Sequence, residues 1–251
     1  ITTDNTGYGL LLDGNGNITL DGGKLDFYGT TDSTKNSTNT YGLVINDIQN
    51  ITVNNDAKLN ITGNSDSSVG FWQNGSINAN IAAGASFTLN GTSSSNIGYL
   101  FKNGKTVLNN NGGTTNGTIN IVGGSTTSVG FKIDNNAYIE IYKGNINITG
   151  SSDSSYGVYN NGGFNINVTS GSELNINATS NSVTGYQTNG SGLYVNANTS
   201  MTGLVNITAN SSTGVGMGID NNSYFTVLSG TLNMTGISDN NNICLLYTSP
   251  S

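Results

Sequence analysis

Charge is what this chain has least of. Only 8% of its 251 residues are Asp, Glu, Lys or Arg, against roughly 25% in an ordinary soluble protein. Its seven basic residues are all lysines, histidine is missing, and the formal net charge is -7. A nucleic-acid partner is therefore not expected, because neutralising phosphates takes clustered cations. No apolar run approaches the ~18 residues of a membrane span, so membrane insertion by this segment is not expected either. The only cysteine and the only proline, Cys244 and Pro250, both fall in the last eight residues. Residues 1–243 thus carry no cysteine, which suits passage through an oxidising compartment without disulfides. Disordered chains are short of apolar residues and rich in charge and proline. Here Ile, Leu, Val and Phe recur at regular places among Asn, Thr, Ser and Gly, so an ordered chain is expected.

The recurrence is a repeat. Glycines flanked by apolar residues stand at Gly9, Gly42, Gly70, Gly98, Gly130, Gly157, Gly185 and Gly216. A motif of alternating apolar and polar residues closed by Gly or Ala begins at Leu25, Leu59, Phe87, Ile119, Ile146, Leu174, Val205 and Leu232. From each motif to the next glycine is 11 residues, except from Leu25 to Gly42, which is 17. A period near 28 residues built from short alternating segments is the signature of a stacked solenoid.

One repeat gives the shape of a coil. Val69-Gly70-Phe71-Trp72-Gln73 alternates, Asn74-Gly75 turns, and Ile77-Asn78-Ala79-Asn80-Ile81 alternates again. Ala82-Ala83-Gly84 turns once more, and Phe87-Thr88-Leu89-Asn90 forms a third run closed by Gly91. Period-two alternation with one apolar face is a strand pattern. Three strands and three corners per repeat make one coil of a parallel β-helix. The fold expected is therefore all-β: a single-stranded right-handed parallel β-helix of about eight coils over residues 1–243. At about 4.8 Å per coil it would be a rod roughly 35–40 Å long. Residues 244–251, Cys-Leu-Leu-Tyr-Thr-Ser-Pro-Ser, break the composition of everything before them and read as a non-native, adapter-derived tail. The chain opens on Ile1 with no leader before the first repeat, and is read as a fragment of a longer protein.

Several columns recur on the outside. Four residues after the repeat glycine stand Asp13, Asn46, Asn74, Asp134, Asn161, Asn189 and Asp220, with Lys102 the exception. Asx residues tolerate left-handed backbone and close turns through their side chains, so this column marks a stacked corner. Extra residues fall in Thr30–Thr40, Asn109–Gly117 and Ala197–Gly203, all small and polar, as in loops that leave a rigid scaffold. The near-constant 11-residue connection marks a tightly packed corner.

The first strand's outer face is expected to carry the glycines and, two residues on, an apolar and aromatic column. It runs Leu11, Val44, Trp72, Leu100, Lys132, Tyr159, Gln187 and Gly218. Glycine would leave a trough there. Val44, Trp72, Leu100, Lys132 and Tyr159 form a candidate strip for a sugar ring or a partner protein. A covering loop, or glycine easing tight packing, would explain the same pattern.

The third strand's outer face carries Asp26, Asn60, Thr88, Asn120, Asn147, Asn175, Asn206 and Asn233. Stacked amide ladders account for that column; an ice-binding plane is the alternative, spoiled by Asp26, Tyr28 and Val122.

Carboxylates are too sparse for catalysis. Asp66 and Asp153 occupy equivalent Asp-Ser-Ser loops three coils apart, roughly 14 Å, and Asp134 and Glu140 flank a corner. No pair is held at the ~5–10 Å that glycoside cleavage uses, so no enzyme is expected. The Gly-Gly-x-Gly-x-Asp repeat of calcium-binding β-rolls is absent, Asp21-Gly22-Gly23-Lys24 being its nearest approach. Single acids also suit calcium poorly. No metal and no cofactor is expected.

With Leu-Asn-Ile-Thr-Gly and its variants recurring through residues 1–243, the chain resembles the repeat regions of bacterial surface adhesins. Autotransporter passengers and filamentous-haemagglutinin-like proteins share its Asn/Gly/Thr/Ser richness and its scarcity of charge and cysteine. That resemblance implies a right-handed parallel β-helix, secreted to the bacterial cell surface, with flanking domains and an anchor. It implies attachment to a host glycan or surface protein. The alternatives are a passive structural stalk, a polysaccharide-active enzyme and an ice-binding solenoid.

Overall fold

In the computed structural model of the chain, the described residues are 6–32, 39–109, 117–134, 137–169, 171–189, 192–196, 203–220, 223–240 and 245–246. They form three parallel sheets and no helix. The chain visits the sheets in strict rotation. The first runs from Thr6–Leu12 to Leu245–Leu246 and has nine strands; the second runs from Gly16–Asp21 to Tyr224–Ser229, and the third from Lys24–Thr31 to Thr231–Ser238, each with eight. This is the β-solenoid expected from the repeat. In the eight-stranded sheets the first and last coils have a neighbour on one side only, leaving six (8 − 2) sandwiched on both. Leu245 and Leu246, set apart by composition, pair with Met217 and Gly218 at the end of the first sheet.

The period sets the register. Ile119 sits over Phe87 and under Ile146, Ile121 over Leu89 and under Ile148. In the third sheet inward apolar residues thus lie on one another, because a strand's side chains alternate faces and stacked strands keep their phase. Leu59, Ile61, Phe87, Leu89, Ile119, Ile121, Ile146, Ile148, Leu174 and Ile176 are all fully buried. In the end coils the equivalents Leu25, Phe27, Leu232 and Met234 are only partly buried. They lack the neighbour that would cover them.

The core also holds polar groups. Phe71, Tyr99 and Phe131 stack with ring centroids 4.6 and 5.2 Å apart. The buried Tyr99 hydroxyl donates to Gln73 Oε1 at 2.7 Å, and Gln73 Nε2 donates to Thr106 Oγ1 at 3.0 Å. A buried polar group is tolerable only when bonded in this way. Burial pushes the Tyr99 phenol well above its ordinary pKa.

Candidate functional site

The outer face of the first sheet bears the candidate strip, and the structure changes its character. The glycine column opens no trough. Where the first strand begins, the end of the same coil's third strand lies directly against it. A Cβ on Gly70 would overlap the backbone of Thr92, on Gly98 that of Gly124, and on Gly130 that of Ser151. Glycine is there because two backbones touch, which corrects the open groove expected along this column. The facing glycines Gly63, Gly91, Gly123 and Gly150 come equally close to the first strand from the other side.

A column of hydroxyls seals the same corner, and sequence reasoning missed it. Ser93 Oγ donates to Ser68 O at 2.6 Å and accepts from Asn96 N at 2.9 Å. Ser125 repeats this with Asn96 O and Ser128 N, and Ser152 with Ser128 O and Ser155 N. Ser180 and Ser211 follow suit. The signal was available: six residues after every motif start stands Thr31, Ser65, Ser93, Ser125, Ser152, Ser180, Ser211 or Ser238.

The five strip residues lie on one face in one column: Val44 pairs with Trp72, Trp72 with Leu100, Leu100 with Lys132 and Lys132 with Tyr159. They do not form one exposed surface. Val44 is 1% exposed, and Trp72, Leu100, Lys132 and Tyr159 are half-buried. Lys132 Nζ is held by Asp134 Oδ2 at 3.1 Å. The aromatic groups sit at two separate places. Tyr8 and Tyr41 stack at 5.9 Å, Trp72 lies tilted by 40° against Tyr41 at 4.8 Å, and Tyr156 and Tyr159 stack at 4.9 Å. Rings stacked on one another spend their faces internally and offer mostly edges to a ligand.

The Asx corner column is bonded coil to coil. Asn74 Nδ2 donates to Asn46 Oδ1 at 3.3 Å, Asn161 to Asp134 at 3.2 Å and Asn189 to Asn161 at 3.5 Å. Left-handed backbone at this corner falls one residue later, at Gly14, Asp47 and Asn103 (φ 71°, 56° and 53°). Asp13 and Asp220 stand at the same corner in the first and last coils. On the third sheet Asn147 donates to Asn120, Asn175 to Asn147, Asn206 to Asn175 and Asn233 to Asn206, all at 2.9–3.1 Å. Of the three insertions, residues 33–38, 110–116 and 197–202 lie outside the described residues.

Several acids sit in ion pairs or ladders. Asp26 accepts from Asn60 at 2.7 Å and pairs with Lys24 at 2.9 Å. Glu140, 7% exposed on the second sheet's outer face, is the centre of a cluster. It pairs with Lys105 and accepts from the Tyr142 hydroxyl at 2.8 Å and Asn167 Nδ2 at 3.2 Å. Burial pushes the Glu140 carboxyl up, but the bonds from Lys105 and Tyr142, the lysine's charge and the Asn167 amide outweigh it. The net direction is down. Among the described residues no three His, Cys, Asp or Glu side chains gather where they could hold a metal ion, and no helix is long and apolar enough to cross a membrane. No protein-family model, curated protein or solved structure matches the chain.

Proposed function

We propose that this chain is a repeat region of a bacterial surface protein of the adhesin type, in which the solenoid acts as a rigid spacer that presents binding elements carried elsewhere. The supporting observation is where the outward polar groups go. The Asn ladders, the serine corner and the Lys–Asp and Lys–Glu pairs bond to the neighbouring coil or to their own strand, which commits these groups to the solenoid and not to a partner. Three sheets paired from coil to coil through the described residues give length and stiffness. Secretion to the cell surface and the lack of a catalytic role belong to the same reading. The half-buried, interrupted strip favours a spacer over an adhesive wall.

A second reading rests on one place. Tyr8, Tyr41 and Trp72 group three rings on the outer face of the first coils, beside Leu11 at 37% exposure. An aromatic cluster of this kind can dock a glycan or a host surface protein through its edges and its end ring. The experiment is binding of the purified, folded chain to a panel of glycans, matrix proteins and mammalian cells, beside Trp72→Ala. Silence across the panel supports the spacer. Saturable binding that Trp72→Ala weakens tenfold or more overturns it and makes the cluster an adhesive contact.

A further inference from the structure

Ladders explain most of the outer face of the third sheet, but they leave four residues of it unaccounted for. The charged residues on that face are Lys24, Asp26, Lys58 and Glu173. Lys24 and Asp26 pair with each other. Lys58 is exposed and enters no ion pair among the described residues, while Glu173 accepts only an amide bond, from Asn206 at 2.8 Å. Val122 stands apolar between Asn90 and Thr149. Asn90 Oδ1 is buried beside it with no donor in its own chain, an arrangement that costs stability unless a partner is found.

These four residues are arranged about one strand. The register Lys58, Ser86, Thr118, Asn145, Glu173 puts the cation two coils before Thr118 and the carboxylate two coils after it. Val122 is on the strand of Thr118, with Asn90 one coil before it and Thr149 one coil after. A two-fold axis along Thr118–Ser125 reverses the order of the coils and keeps each column facing itself. We propose that this face binds the same face of a second copy, antiparallel, about that axis. Lys58 of each copy then meets Glu173 of the other, and Val122 meets Val122 at the centre. Asn90 meets Thr149, whose hydroxyl can donate to the amide oxygen once the amide turns outward.

A second copy is the occupant that this pattern fits. Two chains of net charge -7 repel, so they meet best where opposite charges match and the rest is neutral. Between Lys58 and Glu173 every other outward residue of the sheet is uncharged. The coil spacing is the same in both copies, so contacts stay in step along the solenoid, as in sheets packed with aligned strands. Seven strands at about 4.8 Å and seven residues at about 3.3 Å give a face of roughly 34 Å by 23 Å. That is close to the ~800 Å² each partner gives to a stable interface. The contact is isologous, so it closes as a dimer. It needs no free end of the solenoid.

The test is charge reversal in the full chain, read by sedimentation velocity. The wild type is expected to pass from monomer to dimer with rising concentration and to stop there. Lys58→Glu and Glu173→Lys each set like charges against each other at both symmetry-related contacts, and each is expected to weaken the dimer about tenfold or more. Mixed in equal amounts, the two variants restore opposite charges at every contact and form a heterodimer tighter than either homodimer. One chain carrying both substitutions should regain wild-type affinity to within about threefold. A wild type that is monomeric at every concentration, one that grows past the dimer, or a dimer indifferent to both reversals overturns the proposal. If Glu173→Lys does not fold, Val122→Lys decides. It brings two cations together on the axis and should abolish the dimer, and a folded Val122→Lys that dimerises like the wild type overturns the proposal.

Discussion

Two corners of the same coil obey different rules. Between the third strand and the next first strand, backbone lies on backbone at the glycines, and a buried serine hydroxyl bonds at once to a carbonyl and an N–H. There the connection keeps its length of 11 residues in all but one repeat. Between the second and third strands Gly117 and Gly144 also lie against the backbone of the coil before, but the buried serine clamp does not recur there among the described residues, and two of the three insertions leave the coil at this corner. Asn109 shows how that corner manages: its Oδ1 accepts from Ile81 N at 2.7 Å and its Nδ2 donates to Lys143 O at 2.8 Å. One amide spans from the coil before to the coil after, as a length of strand would. The difference teaches that repeat length is conserved within the chain where a buried hydroxyl ties the connection to both a carbonyl and an N–H, and is free where an amide side chain can bridge.

The sharpest way to break the comparison is at a glycine. Gly98→Ala forces a Cβ into the backbone of Gly124 and is expected to cost about 3 kcal/mol or more, read as a lowered urea midpoint. Gly124→Ala is the control. The nearest atoms to its Cβ would be 3.6 and 3.7 Å away, an ordinary contact. Stability should be unchanged or raised by up to about 1 kcal/mol. Equal losses at the two would mean that glycine content, and not close approach, governs the corner.

Ser125→Ala comes next. It leaves the Asn96 carbonyl and the Ser128 N–H without this partner in a water-poor corner, at a cost of about 2 kcal/mol. Insertions then separate the corners directly. Four Gly/Ser residues added between Ala83 and Gly84 should cost no more than about 1 kcal/mol. The same four between Ser94 and Ser95 should cost several times that, because they lengthen the clamped connection. Comparable midpoints for the two insertions would refute the division.

Much of this architecture was legible from residue spacing. Period and alternation determine coil, strand and column, because a strand has only two faces and a solenoid repeats them. Depth is not encoded that way. Val44 and Trp72 hold equivalent positions, yet Val44 is buried and Trp72 is not, since neighbouring rings differ from coil to coil. The glycine column was placed on the correct strand but misread as a trough, because sequence cannot show which backbone passes beside it. Gln73 and Tyr99 are inward polar residues that alternation alone would have made core. Their partnership depends on stacking one coil apart, which only the register supplies. The serine column is a regularity of the sequence, but serine is so common in this chain that its spacing does not stand out.

The smallest expected effect concerns the second sheet, which relies on side chains where its backbone ladder is short. Lys105–Leu108, Tyr138–Ile141 and Phe164–Val168 pair over only four residues each time, and Glu140 ties the three through Lys105 and Asn167. Because the Glu140 carboxyl is held below its ordinary range, its contribution is complete above the unfolded pKa of about 4.3 and fades as pH falls through the folded value. Amide exchange of these three strands should therefore quicken as pH drops below about 4.3, once the intrinsic pH dependence is removed, and Glu140→Gln should flatten that trend. The third sheet, paired eight over eight by backbone, should show no matching step in Asn145–Ser152. A step of equal size in both sheets would mean that acid loosens the solenoid as a whole, and that Glu140 is not the local staple its bonds describe.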